Sequence, residues 1–539
     1  MKKATYLFLF YSLIYFNISA QSSDTFTRIF EIPVPVIENT GFGEFISGVD
    51  FDGDGNVEIY AVNNMLDQGG AEFIPRIYKF EKHGDVWDSV WSEQERNIAQ
   101  QNSWAPLTWG DWDQDGKPDI VWGPANYFNG DNGPNLNPPR IVVYEAQGNG
   151  TDKMGAQGFG FELPNAEWTI TDKDEFELRP FRWVLQDFDN DGDIELIFAE
   201  RRDSLRFGVV SVSDIPDNGD GSETWTLEAS GSGWMMNPSR IYDMGVMRNK
   251  IYLIHEDGSV SVVKYENGTY TLLGNFADKV PGGSWKSASV VDIDNDGEEE
   301  IIVGGWSKGF NKIYVLREDG DSLQSYAVAD LAPLIGPDGR INGGHDAYGD
   351  IDGDGNMDFI FGTRAATPDA AIIRLEYQGG DVTQPQSYVA QIIDSLFPGS
   401  GVNRYDIVNV ANIDDDPDLE VLYTDGNQTG RIPIVILDVK KAVGISEKEI
   451  ANNFELEQNY PNPFNPSTTI VFSITEETTA SLKIYNVLGE LVTTLINNKS
   501  FYPRKYSVTF DATQLVSGTY IYTLESKGKI ISKKMILQK

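Results

Sequence analysis

Cysteine is absent from this sequence of 539 residues. Its absence excludes disulfides, thiolate metal sites, a cysteine nucleophile and acylation of an N-terminal cysteine. Histidine is nearly absent too: His83, His255 and His345 are the full set. None of them stands in a zinc-ligand spacing or a Ser/His/Asp arrangement, so the sequence identifies no catalytic residue. Basic charge is short, with 42 Lys and Arg against 82 Asp and Glu and a net charge of −40. A body so acidic is a poor partner for nucleic acid or an anionic membrane. After the first twenty residues no apolar run is long enough for a transmembrane helix. The one short apolar run, residues 6–16, follows Lys2 and Lys3 and precedes Ile18-Ser19-Ala20. A positive start, a run too short to span a bilayer and a small residue before a cut describe an export signal over residues 1–20. An exported chain without disulfides needs another staple, and bound metal is one.

Aspartate, in contrast, is plentiful and patterned. A nine-residue loop occurs six times, reading acid, apolar, acid, any residue, acid, usually Gly, two free positions, acid. The first two copies place candidate ligands at Asp50, Asp52, Asp54, Asn56 and Glu58, and at Asp111, Asp113, Asp115, Lys117 and Asp119. The next two place them at Asp187, Asp189, Asp191, Asp193 and Glu195, and at Asp292, Asp294, Asp296, Glu298 and Glu300. The last two offer Asp350, Asp352, Asp354, Asn356 and Asp358, and Asn412, Asp414, Asp416, Asp418 and Glu420. Four carboxylates packed into nine residues repel one another unless a cation joins them. A hard ion taking six to eight oxygens suits that cage, and calcium tolerates the irregular geometry of a loop. Glycine at position six permits the sharp turn. Position seven varies freely, as expected where only its backbone carbonyl is used.

An EF-hand begins the same way but requires an acid at position twelve, on a helix. Here position twelve is Ala61, Trp122, Phe198, Val303, Phe361 and Tyr423. Each lies in a β-branched or aromatic run that reads as a strand, so the helix-loop-helix reading fails in every copy.

The loop starts are 61, 76, 105, 58 and 62 residues apart. The long gap is close to two units. It contains Lys250–Ile254, a turn at Glu256-Asp257-Gly258, and Ser259–Val263, which read as a unit that lost its loop. Seven four-stranded units of about 60 residues, with no helical period, predict an all-β chain built as a seven-bladed β-propeller. The N-terminal stretch Phe26–Phe30 is expected to pair into the last blade and close the ring, removing exposed edges.

The six loops, their spacing and the strand after each resemble the FG-GAP/VCBS repeats of integrin α-subunit propellers and of many bacterial exported proteins, over residues 22–440. The resemblance implies calcium at positions one, three, five and nine and at the carbonyl of position seven, in about five to six sites. The copy at Asn412 departs from the pattern, with Asn412 in place of the first acid and Pro417 in place of the glycine. It is expected to be the weakest site.

Residues 441–458 read as a linker. After them Asn459–Ile470 carries prolines that exclude regular structure before the first strand, and short alternating strands follow. A small C-terminal β-sandwich of Ig-like type is expected over residues 459–539. Composition changes with it: residues 454–539 hold nine Lys and Arg against seven Asp and Glu. The whole segment resembles the type A C-terminal sorting domain of the type IX secretion system. That implies passage across the outer membrane through the type IX machinery, and an extracellular or cell-surface destination.

The function of the propeller is read from its other face. The first strand of each unit runs towards the calcium loops, so its starting end lies at the opposite face, near the axis. Trp104, Arg182, Trp285, Lys286, His345 and Arg404 fall there. Aromatic and cationic groups in an acidic chain suit a mouth for an extracellular glycan or protein ligand. The expected function is ligand binding or adhesion. The alternatives are a polysaccharide lyase using an arginine or His345 as base, and a purely structural surface protein.

Overall fold

The computed structural model describes residues 25–35, 38, 41–63, 75–83, 86–94, 105–124, 139–157, 163–168, 180–201, 206–367, 369–395, 405–414, 418–425, 433–440, 454–456, 458–459, 461–474, 478–501, 504–513 and 515–539. The expected export signal, Trp104, Arg404, Asp416 and residues 441–453 lie outside these. The chain divides into two compact units, Met1–Val439 and Lys440–Lys539.

In the first unit the described residues form seven antiparallel sheets that follow one another along the chain. The first sheet runs from Phe42–Val49 through Glu58–Asn63 and Arg76–His83 to Val86–Gln94. The second to sixth start at Leu107–Gly110, Pro180–Gln186, Ile241–Met247, Ser289–Val291 and Arg340–Asn342. The sixth gains a fifth short strand, Tyr348–Gly349, which pairs with Asp358–Arg364. In the seventh, Tyr405–Ala411, Glu420–Asp425 and Ile434–Lys440 are completed by the N-terminal strand Thr25–Ile32.

Burial within each sheet explains the sequence pattern. Second strands such as Glu58–Asn63 and Glu195–Glu200 are buried at every position, because neighbouring sheets cover both faces. Fourth strands such as Val86–Gln94 mix exposed and buried positions, as outer strands do. Seven separate apolar cores lie between successive sheets. Phe51, Tyr60 and Trp91 meet Leu107, Trp122 and Tyr144 between the first and second. The sequence of cores ends where Ile407, Leu422 and Ile436 of the last sheet meet Ile32, Phe42 and Ile59. The last sheet therefore packs on the first, and the series is cyclic. Ser47 Oγ hydrogen-bonds Asn409 Oδ1 at 2.9 Å across this junction. Gly48 there has φ +86°, and a Cβ on it would fall 2.7 Å from Ala411 Cβ, so the closure needs glycine at this point.

The fourth sheet has no acidic loop. Its first two strands, Ile241–Met247 and Lys250–His255, are joined by Arg248-Asn249, with Arg248 at φ +55°. Arg248 pairs with Glu298 and, at 3.4 Å, with Glu318 of the fifth sheet. A fixed side-chain cation stands where the other sheets carry clustered acids.

The second unit has a three-stranded and a four-stranded sheet around one core of Leu456, Phe464, Phe472, Leu482, Tyr522 and Met535. Glu455–Leu456, read from the sequence as the end of the linker, is a strand of this unit. Leu456 is fully buried in its core, and that apolar anchor draws the strand in. Phe464, inside the proline-rich stretch, is tied to the last strand by Phe464 N–H to Ile536 O and Gln538 N–H to Phe464 O, both 2.9 Å.

Removing residues 25–32 leaves Ile434–Lys440 as an open edge and uncovers the core around Ile32. The shortened protein is expected to melt roughly 10 °C lower or more and to aggregate on warming. Thermal unfolding with light scattering measures both, and an unchanged melt contradicts the closure.

Candidate metal centres and the opposite face

Each acidic loop joins the first strand of a sheet to the second, and the same hydrogen bonds recur in it. The ninth residue is fully buried in all six copies: Glu58, Asp119, Glu195, Glu300, Asp358 and Glu420. One of its carboxylate oxygens accepts the backbone N–H of position two. The donors are Phe51 (2.7 Å), Trp112 (2.8 Å), Phe188 (2.8 Å), Ile293 (3.3 Å), Ile351 (3.0 Å) and Ile413 (2.9 Å). The first acid accepts the N–H of the glycine at position six, from Gly55 at 3.0 Å, Gly116 at 3.1 Å, Gly297 at 2.8 Å and Gly355 at 3.0 Å. The fifth accepts the N–H of position seven, as Asn56 does to Asp54 at 2.7 Å and Asp193 to Asp191 at 2.9 Å. These bonds fold the loop so that its carboxylates converge. Asp50, Asp52, Asp54 and Glu58 each bring an oxygen within 4.8 Å of the others, as do Asp111, Asp113 and Asp115, and Asp187, Asp189 and Glu195.

The second oxygen of the ninth acid separates the first five loops into two kinds. In three of them a side-chain cation from the third strand stands against it. Lys79 Nζ lies 3.4 Å from Glu58 and 2.7 Å from Asp52, Arg317 Nε 3.0 Å from Glu300, and Arg374 Nε 2.5 Å from Asp358. In the other kind, Asp119 Oδ1 and Glu195 Oε1 are buried with neither a hydrogen-bond partner nor such a cation among the described residues; Glu58 Oε1 and Glu300 Oε1 lack a hydrogen bond too but have the cation beside them. Burial raises the ninth acids: Glu195 to about 8, and Glu58, Glu300 and Asp358 to about 7, with the N–H of position two and any nearby cation opposing the shift. Asp119 is driven well above the carboxylate range by the same burial. An unpartnered buried oxygen facing a ring of carboxylates is what a hard divalent cation satisfies. At the Asn412 loop, Asp414 N–H bonds Asn412 Oδ1 at 3.3 Å, so the amide takes part in the loop as an acid would.

On the opposite face the structure gathers most of the residues named from the sequence and ties them together. Lys286, fully buried, pairs with Glu44, and His345 Nε2 lies 3.3 Å from the same carboxyl. Burial works against ionisation of Glu44, but the Lys286 ammonium and His345 outweigh it and hold the group down to about 2. Arg182 is buried and pairs with Asp346. Asp243 Oδ2 accepts Ser284 Oγ at 2.5 Å, Ser287 N–H at 2.6 Å and Ala288 N–H at 2.9 Å. These contacts cross from sheet to sheet near the axis.

Trp285 is buried in a cluster with Phe181, Tyr242 and Trp306. Phe181 and Tyr242 arrive there through bulges. Pro180 and Arg182 pair with Glu200 and Ala199, and Ile241 and Asp243 pair with His255 and Ile254, so the residue between is left out of the ladder and re-aimed. Sequence reasoning missed Phe181, Tyr242, Trp306 and Glu44. A signal was present: Arg201 and Trp306 both stand fourteen residues after the first acid of their loops.

Comparison with known families agrees with this geometry at both ends of the chain. Residues 36–122, which hold the first two loops, match the FG-GAP-like repeat, and residues 458–538 match the secretion system C-terminal sorting domain. The chain carries an FG-GAP-like repeat and a type IX secretion sorting domain. Its fold is all-β and propeller-like, its sorting domain is one handled by the type IX machinery, and among the described residues no helix is long and apolar enough to cross a membrane. No curated protein matches. Solved structures with related shape include the N-terminal domain of Nup159, at 9% identity and TM-score 0.38 over 78% of this chain and 97% of that one. A chain of an S. cerevisiae Dbp5, Nup159 and Gle1 assembly gives 9% and 0.37, over 78% and 96%. The exotype rhamnogalacturonan lyase YesX gives 13% and 0.41, over 76% and 75%. Likeness at this level says nothing about what the chain binds.

The raised ninth acids give a pH test in the presence of a chelator. A carboxyl whose folded pKa lies above its unfolded value stabilises the fold below the unfolded pKa and loses that contribution as pH rises through the folded one. For Glu195 the window runs from about 4.5 to about 8. In chelator the parent protein is expected to lose stability relative to Glu195→Gln across that window. With divalent cation present the order reverses, and Glu195→Gln is the less stable. Urea unfolding at pH 5 and pH 8 reads both, and parallel curves in chelator contradict the assignment.

Proposed function

We propose that the first unit is a seven-bladed β-propeller stapled by calcium, and that the second is an Ig-like sandwich that serves as a removable export address. The propeller acts outside the cell or on its surface as a ligand-binding or adhesion module. The observation that carries this reading is the division of the ring into two faces. One face is given to the acidic loops, with their buried, partnerless carboxylate oxygens on Asp119 and Glu195. The other gathers aromatic and cationic groups at the starts of the first strands. Calcium fits the oxygen-only donor set of the loops, where two carboxylates from each of the first five are already oriented by backbone N–H groups. The Asp187 loop is expected to bind most tightly, since no lysine or arginine stands against Glu195.

Seven inter-sheet cores in cyclic order and the completion of the last sheet by Thr25–Ile32 support seven blades. The fourth blade carries no calcium, because Arg248-Asn249 replaces its loop. The slightly basic composition of residues 454–539 and their match to a sorting domain support the address.

A chain ending at Val443 tests both halves. It is expected to fold and to melt many degrees lower once calcium is chelated, since binding to the folded state alone adds about 2.7 kcal/mol per site at a hundredfold ligand excess. In the native host the same truncation is expected to leave the protein in the periplasm. Arrival at the cell surface or in the medium overturns the address, and a melt indifferent to chelation overturns the staple.

A further inference from the structure

The aromatic cluster at the face opposite the acidic loops has three arginines around it, two of which have no carboxylate partner among the described residues. Trp285 and Trp306 stack at 5.0 Å with an interplanar angle of 22°, and Tyr242 lies 4.8 Å from Trp285 and 5.7 Å from Trp306. Arg201 stands over the Tyr242 ring at 5.1 Å, and Arg340 over the Trp306 ring at 5.7 Å. Arg240 Nη1 reaches the Tyr242 hydroxyl at 3.4 Å and is 3.7 Å from Glu256. These residues come from one end of four neighbouring sheets. Arg201 and Trp306 follow the second strands of the third and fifth, and Arg240 and Arg340 open the first strands of the fourth and sixth.

In a chain with 82 acidic residues against 42 basic, an arginine finds a carboxylate easily. Arg182, Arg248, Arg317 and Arg374 do so. Arg201 and Arg340 have no carboxylate partner among the described residues, although both are partly withdrawn from water. Arg201 Nε, Arg340 Nε and Trp306 Nε1 are buried with no hydrogen-bond partner among the described residues. Buried donors left without an acceptor are costly, and an incoming anion relieves that cost. Arg201 has, besides ring faces, only a 3.5 Å contact from Nη2 to the Tyr242 hydroxyl, and a half-buried cation so lightly held suits an anion that arrives from outside.

We propose that Arg201, Arg240 and Arg340, arranged on the Tyr242, Trp285 and Trp306 platform, form a binding site for an acidic sugar, a uronate or sulfated residue of an extracellular polysaccharide. The inference rests on the ligand-binding reading above and names the site and the ligand class. A sugar offers a flat C–H face for Trp306 and a carboxylate or sulfate for the guanidinium groups, in one residue. Nucleic acid fits less well, because it requires a continuous basic stripe and this cluster is isolated on a body of net charge −40. At physiological salt the repulsion from that body is screened beyond about 8 Å, so a locally bound acidic sugar is tolerated.

The test uses the mature full-length protein with calcium and three probes: oligogalacturonate, a sulfated chondroitin oligosaccharide and a neutral cello-oligosaccharide. Titration calorimetry is expected to show binding of an acidic probe at least tenfold tighter than of the neutral one, weakening as salt is raised. The double variant Arg201→Gln/Arg340→Gln is expected to lose tenfold or more in affinity with an unchanged melt, whereas Lys483→Gln, the same kind of charge loss in the second unit, loses none. Should the double variant melt early, Arg240→Gln with its half-exposed side chain serves instead, with a loss of at least threefold expected. Galacturonate and sulfate arms tell the two acid types apart, and preference for either supports the site. Binding of the neutral probe alone overturns the acidic-sugar site and leaves the binding-module reading standing. Acidic binding that the arginine variants do not change places the ligand elsewhere and overturns it too. No binding of any probe overturns the site. A glycan and protein array with no hit then overturns the binding module as well.

Discussion

Carboxylates crowded into short loops, where they repel one another when charged, are the constraint around which the first unit is arranged. In each loop a fully buried ninth acid holds the backbone of position two, and at the Asp50 and Asp187 loops further acids of the loop converge on it. The loop therefore has its shape, but not its charge balance, from the protein alone. Where Lys79, Arg317 or Arg374 stands against the ninth acid, part of the balance is internal. No cation stands against Asp119 or Glu195 among the described residues, although Lys117 pairs with Asp115 in the Asp119 loop. On the reading proposed above, calcium supplies the rest, and a disulfide-free exported chain gains its staples from the medium it enters.

The loops lie between first and second strands, so this balance reaches the cores. The second strand that leaves each loop is buried on both faces and shared by two inter-sheet clusters. A loop that opens releases the start of that strand. At the other face the ring is held without metal, by Lys286 with Glu44 and by Arg182 with Asp346. The Lys286–Glu44 pair, buried on both sides, is costly to break, because either partner left alone is an uncompensated charge. The cations of the opposite face thus divide into two sets. Arg182 and Lys286 are bound within the protein. Arg201 and Arg340 stand over rings with no carboxylate partner among the described residues, Arg201 adding a 3.5 Å contact to the Tyr242 hydroxyl.

Much of this was legible in the sequence. A loop repeated at fixed positions, followed each time by an apolar run, pointed to the strand order and to the convergence of its carboxylates, because spacing of period two and clustered charge are local properties. The loop-less unit was legible for the same reason, since Lys250–Ile254 and Ser259–Val263 alternate as the other blades do. The fate of the axial residues was not. Nothing local says that Lys286 meets Glu44, 242 positions away, or that bulges turn Phe181 and Tyr242 towards Trp285. Leu456 was hidden as well: a single apolar residue among Glu455, Glu457 and Gln458 does not announce a strand until the core that buries it is seen.

The most direct measurement is the metal content of the mature protein. The chain is freed of loosely held ions by gel filtration, its calcium is counted by mass spectrometry, and its thermal melt is recorded before and after the ions are stripped. The account predicts about five calcium ions per chain, lost together with much of the thermal stability and both restored by adding calcium back. A chain that holds one calcium or none, and melts at the same temperature when shown to be metal-free, would contradict it.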